Sequence, residues 1–363
     1  MYTQLNLFES PVPYTEPCQV PTTVTASVIE LFAGAGGLAL GLEKAGLKAK
    51  ALIEIDKDAV ATLRHNRPDW DVIHADVSKV SFKGMSVDVV TGGFPCQCFS
   101  YAGLGLGLED TRGTLFYEFA RCVKEVQPKL FLAENVRGLI SHQKGKTFKT
   151  VLSVLESLGY HVQYRLLNAV NYDVPQKRER VIIVGTRPGI RASFPAPAPK
   201  ILTLRDALKD VPPSEGMKYS PKKAAVLALV PPGGCWRDLP EDVQKSYMMK
   251  SYYLTGGRTG MARRISWDEP SLTLTTSPLQ KQTERCHPEE TRPFTVREYA
   301  RIQTFPDDWE FMGGIGSKYQ QIGNAVPVNF AYHLGRSIVS ALSNELDLPH
   351  IVPKQIWVNF TQV

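Results

Sequence analysis

The sequence has no run of 18 apolar residues, and its opening stretch, MYTQLNLFESPVPYTEP, has neither the basic flank nor the apolar core of a signal peptide. These absences predict a soluble, intracellular, cytoplasmic protein with no membrane partner. Cysteine is sparse: six residues, at 18, 96, 98, 122, 235 and 286, in a chain of 363. That is too few for a disulfide framework, so free thiols are expected. A metal site is short of ligands, because Cys96 and Cys98 find only the isolated Cys286-His287 to join them. Charge of one sign is not abundant either: 42 Lys+Arg against 36 Asp+Glu give +6, which admits a polyanionic partner without announcing one. No internal repeat or low-complexity tract is evident.

What is present is an ordinary folding composition, 43% hydrophobic, 21% charged and 9% aromatic. The length exceeds the roughly 250–300 residues of a single core, which predicts one large and one smaller domain. Pro11, Pro13, Pro17 and Pro21 break up residues 1–26, which read as an extended tail. From Ser27, apolar runs at Val28–Phe32, Ala49–Ile55, Val87–Thr91, Leu130–Glu134 and Val181–Thr186 alternate with helical stretches such as 37–46 and 57–66. Near-continuous apolar strands belong to a mostly parallel, doubly wound α/β sheet of the Rossmann-like kind, whose ligands sit at the carboxyl ends of its strands. Tyr160–Leu167 alternates instead, and is expected as an antiparallel edge. After Thr186 prolines interrupt every element, so a large domain over 27–187 and a smaller one over 188–319 are expected. Helical spacing returns at 296–305 and 326–346. A helix within 320–346 is expected to rejoin the large domain, ahead of a C-terminal tail at 347–363.

Ile29-Glu30-Leu31-Phe32-Ala33-Gly34-Ala35-Gly36-Gly37 is a strand entering a glycine turn that opens a helix, where free backbone N–H groups meet anionic ligands. The turn fits a nicotinamide enzyme as well as another nucleoside binder. Glu54 closes the next strand 18 residues beyond Gly36, where a carboxylate can accept from a ribose diol, and Asp76 can receive an adenine amino group. An adenosine moiety is the ligand these three places suggest. Asp88-Val89-Val90-Thr91-Gly92-Gly93-Phe94-Pro95-Cys96-Gln97 then puts a cysteine directly after a buried strand. Its own twin is a useful control, since Pro17-Cys18-Gln19 repeats the tripeptide inside the tail with no strand before it. Context therefore singles out Cys96 as a nucleophile. Glu134-Asn135-Val136 brings a carboxylate to the same sheet edge, and Gln176-Lys177-Arg178-Glu179-Arg180 adds two arginines. A thiol, a carboxylate and an arginine beside an adenosine site suggest covalent attack on an electron-poor ring.

At this point the chain resembles the DNA cytosine-5 methyltransferases, especially those of bacterial restriction-modification systems. Six blocks carry the resemblance, in order: ELFAGAGG (30–37), GGFPCQCFS (92–100), ENVRGL (134–139), QKRERVIIVG (176–185), TVREYARIQTFPDDW (295–309) and QIGNAVPVNF (321–330). The resemblance implies a class I methyltransferase sheet, S-adenosylmethionine as cofactor with S-adenosylhomocysteine as product, no metal, and a small target-recognition domain. It implies that Cys96 is the nucleophile, that Glu134 contacts the target base, and that Arg178 and Arg180 support that base and the catalytic loop. Phe32 is implied to stack on the adenine, Glu54 to bind the ribose and Asp76 the adenine amino group, with Gly34, Gly36, Gly37, Pro95, Leu115 and Asn324 completing the cofactor site. Ile55 stands where the family often has an aromatic, so packing there is expected to be aliphatic. Ser100–Arg112, with glycines at 103, 105 and 107, is expected to close over an extruded cytosine, and Gln97, Ser100 and Arg112 to touch DNA.

The partner so implied is double-stranded DNA, bound by a monomer, with a cognate restriction endonuclease that need not touch it. Across 245–301 there are ten Lys+Arg and six Asp+Glu, a local balance of 10 − 6 = +4. Arg258, Arg263, Arg264, Lys281 and Arg285, interleaved with Tyr252, Tyr253 and Trp267, are the residues expected to face phosphates and base edges. The sequence recognised is not legible; a guanine-containing palindrome of four to six pairs is an expectation from the resemblance alone. A nicotinamide oxidoreductase and a DNA-binding protein that has lost its chemistry are the two rival readings.

Overall fold

The structure is a computed structural model that describes residues 25–95, 115–254 and 260–343. Five strands, β1 (Ser27–Leu31), β2 (Lys48–Glu54), β3 (Val72–His74), β4 (Val89–Gly92) and β5 (Leu130–Val136), pair in parallel. Two more, β6 (His161–Asn168) and, after the short β7 (Gln176–Lys177), β8 (Glu179–Thr186), complete a seven-stranded sheet in the order β3-β2-β1-β4-β5-β8-β6. The order reverses between β1 and β4, and a crevice at such a switch point is where open α/β sheets bind ligands.

One strand direction differs from the sequence-based expectation. Residues 161–168 do form the edge and do pair antiparallel, but with β8, and β8 in turn runs antiparallel to β5. The reversed strand is thus β8, while β6 runs with the other strands. Only a 3₁₀ turn (Ala169–Asn171) and β7 separate β6 from β8, and without a crossover helix the chain can only return antiparallel. β8 is buried on both faces, so its apolar run looks like that of a parallel strand.

Helices cover both faces. α1 (Gly37–Lys44) and α11 (Val328–Ser343) bury Leu38 and Leu42 with Phe330, Leu334 and Ile338 on one face. On the other, α3 (Leu115–Val126) and α5 (Lys146–Ser157), the latter following the single turn α4 (Gly138–Ser141), bury Phe116, Phe119, Val151 and Leu155 against Val90, Phe131 and Ile183. A third cluster joins α2 (Lys57–Asn66), α6 (Leu204–Leu208), α9 (Val296–Ile302) and α10 (Ile315–Asn324) through Leu63, Leu204, Tyr299, Trp309 and Tyr319. α9 begins with a reciprocal cap, Thr295 and Glu298 each bonding the other's backbone N–H, as its T-x-x-E sequence favours.

That third cluster also holds Ala39 of α1 and Leu52 of β2, so much of 293–319 packs with the sheet and its helices. The apolar core proper to the smaller domain spans 219–286 and contains Tyr219, Leu227, Trp236, Met248 and Cys286, with α7 (Pro221–Leu227) and α8 (Glu241–Met248) around it. The proline-rich texture from 188 onward marks irregular backbone, whereas the helical stripe of 296–305 marks a surface that must be buried against the sheet.

Candidate active site

The carboxyl ends of β1 and β2 are tied together by one carboxylate. Glu54 Oε2 accepts the Gly34 N–H at 2.7 Å, and Oε1 accepts those of Ile55 and Asp56 at 2.9 and 2.8 Å. A carboxylate offers about four lone-pair positions, so the buried Glu54 retains capacity for one more donor, such as a ribose hydroxyl. Beside it Ile55 is 64% exposed, an apolar platform open to solvent at the end of a strand. Phe32, half-buried, holds a left-handed φ of 59°, a strained conformation of the kind that collects at ligand sites. Asp76 caps the turn after β3, its Oδ1 accepting the Ser78 N–H and hydroxyl at 2.9 and 2.8 Å. Those bonds, the backbone one foremost, hold its carboxyl below the usual carboxylate range, so it stays an acceptor. The donor set and the exposed apolar platform fit an adenosine group.

The turn itself is shaped from the far end of the chain. A Cβ on Gly37 would collide with the Val326 carbonyl oxygen and crowd Ala325, so only glycine admits the link between α10 and α11 here. Asn324, the exposed last residue of α10, stands immediately before that link, and Leu115 is half-buried at the start of α3. Below the turn Glu30 is 3% exposed, with Oε2 bonded to no described residue. Burial pushes its carboxyl well above the ordinary range; the Ala39 N–H opposes this and the Glu54 charge adds to it.

β4 gives way after Gly92 to Gly93-Phe94-Pro95, and the exposed Pro95 is the last described residue before the segment with Cys96, Gln97, Ser100 and Arg112, which lies outside the described residues. Asn135, 3% exposed, clamps this approach: its Nδ2 donates to the Phe94 carbonyl at 2.7 Å and its Oδ1 accepts the Val136 N–H at 2.9 Å. The Phe94 ring meets Phe116 edge-on at 5.3 Å. Arg180 Nε lies 2.6 Å from Glu134 Oε1, with both side chains 12% exposed. The register explains the pair: Val136 faces Arg180 across the ladder, so Glu134 is the diagonal neighbour on the same face. Gly93 leaves the space this carboxylate fills, since a Cβ there would stand 3.1 Å from Glu134 Oε2.

Arg178 is placed differently. It is 2% exposed and donates to the carbonyls of Leu274 at 3.3 Å and Gly323 at 3.0 Å, pinning the small-domain strand β9 (Ser271–Leu272) and α10 to the sheet. Gln176 joins the same pin, bonded to Gln303 at 2.8 Å, while Gln303 donates to the Ile322 and Ala325 carbonyls. Asn135, Gln176 and Gln303 were not anticipated as site-shaping residues. Their signal lay inside quoted blocks, in amides at positions that strand and helix periods turn inward.

The arginines expected to read DNA divide sharply. Arg258 lies outside the described residues. Arg264 is 4% exposed and faces inward, donating to the carbonyls of Val230, Leu227, His287 and Glu290 at 2.7 to 3.2 Å and to Thr291 Oγ1 at 2.9 Å. Arg285 is 6% exposed, bonds the Glu284 carbonyl at 2.6 Å, and is lowered to about 10 by burial. Both are buried rather than facing solvent, which departs from the expectation that they face phosphates and base edges: the segment has little regular structure, and these two arginines donate to nearby carbonyls. Arg263 is mostly covered, 3.7 Å from Glu269, and Lys281 bonds the Tyr247 carbonyl at 2.6 Å. Exposed side chains on this domain include Met249, Tyr253 and Leu254. Among the described residues no group of three or more His, Cys, Asp or Glu is placed to hold a metal, and no helix is long and apolar enough to cross a membrane.

The family model described as C-5 cytosine-specific DNA methylase matches residues 26–340. The type II methyltransferase M.Eco47II of Escherichia coli is 62% identical over 330 residues, covering 87% of this chain and 79% of that protein. M.Sau96I of Staphylococcus aureus is 56% identical over 328 residues, covering 87% and 76%. The solved Entamoeba histolytica methyltransferase EhMeth superposes with a TM-score of 0.62 at 15% identity, over 88% of this chain and 99% of that one, and so shares the fold. With the family model matched across most of its length, the chain belongs to the C-5 cytosine-specific DNA methylases and is a DNA cytosine-5-methyltransferase.

Proposed function

We propose that the protein transfers a methyl group from S-adenosylmethionine to carbon 5 of a cytosine extruded from duplex DNA, with Cys96 as nucleophile. It acts as the modification enzyme of a type II restriction-modification system, a monomer in the cytoplasm whose cognate endonuclease shares its target without contact. The observation that carries the reading is the Glu134–Arg180 pair, 2.6 Å apart beneath Gly93, beside a Phe94-Pro95 approach that Asn135 holds in place. The type II role rests on the names of the relatives.

Carbon 5 of cytosine is a poor nucleophile. The Cys96 thiolate adds to carbon 6, forming a C–S bond and moving the ring's π pair toward carbon 5 as an enamine. A proton carried by Glu134 passes to ring N3 as charge develops during addition, and Arg180, whose Nε holds Glu134 and whose Nη1 donates to the Glu179 carbonyl, presents Nη2 to O2. Glu54 and Asp76 hold the ribose and adenine amino group, with Ile55 and Phe32 against the ring. S-adenosylmethionine, when bound, supplies an electrophilic methyl group. Carbon 5, once bonded to that methyl group, gives its proton to solvent water, and the C–H pair restores the ring double bond as Cys96 leaves as thiolate. A base stacked in a duplex is out of reach of these groups, so extrusion is required, at a cost of a few kcal/mol.

DNA carrying 5-fluorocytosine at the target tests this directly, because fluorine at carbon 5 blocks elimination. The wild type and Cys18→Ala form a covalent adduct, and Cys96→Ala forms none while losing at least ~10³-fold in methyl transfer. A wild type that never forms the adduct, or a Cys96→Ala variant that does, overturns the assignment. Bisulfite sequencing of host DNA with and without the protein identifies the target.

A further inference from the structure

Beside the Glu134–Arg180 pair lies a cavity of about 330 Å³, with Val136, Arg137, Lys177, Glu179, Arg180 and Thr273 among its lining. Three of these side chains are cationic and one is anionic. Arg137 Nη1 and Glu179 Oε2 meet at 2.8 Å, with side chains 67% and 40% exposed. An exposed pair of this kind adds at most ~1 kcal/mol to folding, so stability is a weak reason for it to be there. Its position is more informative. Arg137 follows β5 and Glu179 opens β8, the two strands that carry Glu134 and Arg180.

We propose that Arg137 is a binding residue for a DNA phosphate flanking the extruded cytosine, and that Glu179 holds Arg137 until that phosphate displaces it. This rests on the reading that the base contacts Glu134 and Arg180. A base seated there carries its ribose and two phosphates outward, and Arg180 lines both the base site and the cavity, so the cavity is the space the sugar-phosphate enters. The lining suits an anion, with Lys177 as a second cation. A guanidinium presents a fork that a phosphate engages with two parallel bonds, whereas Glu179 takes a single one at Nη1. The exchange therefore favours phosphate, and the displaced Glu179 carboxylate, left beside an anion, sets a threshold that casual backbone contacts do not cross.

The test measures binding of the full-length protein, saturated with S-adenosylhomocysteine, to a fluorescent duplex bearing the target found by bisulfite sequencing. Matched duplexes replace each phosphate next to the target cytosine with a neutral methylphosphonate. The wild type loses about tenfold in affinity for one of the two neutral duplexes, a typical effect of one charge-assisted contact. Arg137→Ala binds the ordinary duplex about tenfold more weakly, is indifferent to that same replacement, and shows a salt slope smaller by about 0.9. Glu179→Gln binds severalfold more tightly. In turnover, Arg137→Ala raises KM for DNA and leaves KM for S-adenosylmethionine unchanged, and neither variant shifts unfolding by more than ~1 kcal/mol. If Arg137→Ala keeps the full methylphosphonate penalty, or Glu179→Gln binds more weakly, the inference is wrong. A wild type that transfers no methyl group to DNA sinks the proposed function itself; a wild type that does so, with Arg137→Ala indistinguishable from it, sinks only this inference.

Discussion

Two arginine-rich stretches, Gln176–Arg180 and Arg263–Arg285, use the same side chain in different ways. The first is the two-residue β7, paired with β9, followed by the start of β8, where Arg180 lies between β5 and β6. There Arg180 pairs with Glu134 at 2.6 Å, while Arg178, between the two strands, turns inward. The second has only the two-residue β9 and one 3₁₀ turn, Lys281–Thr283. Irregular buried backbone leaves carbonyls in want of donors, and Arg264 supplies six bonds to its surroundings, five of them to carbonyls. Regular structure frees an arginine for chemistry, and its absence conscripts one for scaffolding.

The same substitution at two positions separates these roles. Arg180→Lys keeps the charge and loses the planar fork, so kcat is expected to fall about 10²-fold with unfolding shifted by less than ~1 kcal/mol. Arg264→Lys cannot serve six acceptors and is expected to cost about 2–4 kcal/mol in urea unfolding, while the folded fraction turns over at the wild-type kcat. An Arg264→Lys protein that unfolds normally but binds DNA poorly would return Arg264 to the reading surface.

Glu30 sharpens the buried side of the comparison, being an inward carboxyl with an oxygen no described residue answers. Its folded-state pKa is raised, so the unfolded chain gives up the proton first as pH climbs past about 4.5. Stability that is full below that point is lost as pH rises through the folded-state value. Glu30→Gln is expected to remove this slope, matching wild type near pH 4 and exceeding it in unfolding free energy at pH 7. A parallel pair of pH profiles would show Glu30 ionised in the folded protein. The smallest effect belongs to the cofactor side: Ile55→Ala, which trims the exposed platform, is expected to raise KM for S-adenosylmethionine roughly three- to tenfold and leave KM for DNA alone.

The sheet was legible because strands buried on two faces read as unbroken apolar runs. The direction of β8 was not, since a buried antiparallel strand carries the same run as a parallel one. Nor was α10, whose IGSKYQQIGN is too polar and glycine-rich to announce a helix without the cores of α2 and α9 to pack on. At the site, ENVRGL and QKRER point to Glu134 and Arg180, which the structure sets 2.6 Å apart, and the spacing after the glycine turn points to Glu54, which the structure bonds to that turn. Arg264 and Arg285 were misplaced because sequence gives a side chain's charge but, in irregular backbone, no period to tell inside from outside.

The collision that makes Gly37 obligatory also fixes a timetable. The turn and helix α1 emerge from the ribosome early, whereas the Ala325–Pro327 link and α11 that complete them come after the whole small domain. A nascent chain therefore carries the first half of a binding site for most of its synthesis, with the apolar face of α1 waiting for a partner nearly 300 residues downstream. Contacts so distant in sequence close slowly, and an interrupted chain exposes that face rather than binding anything. Competence waits for α11.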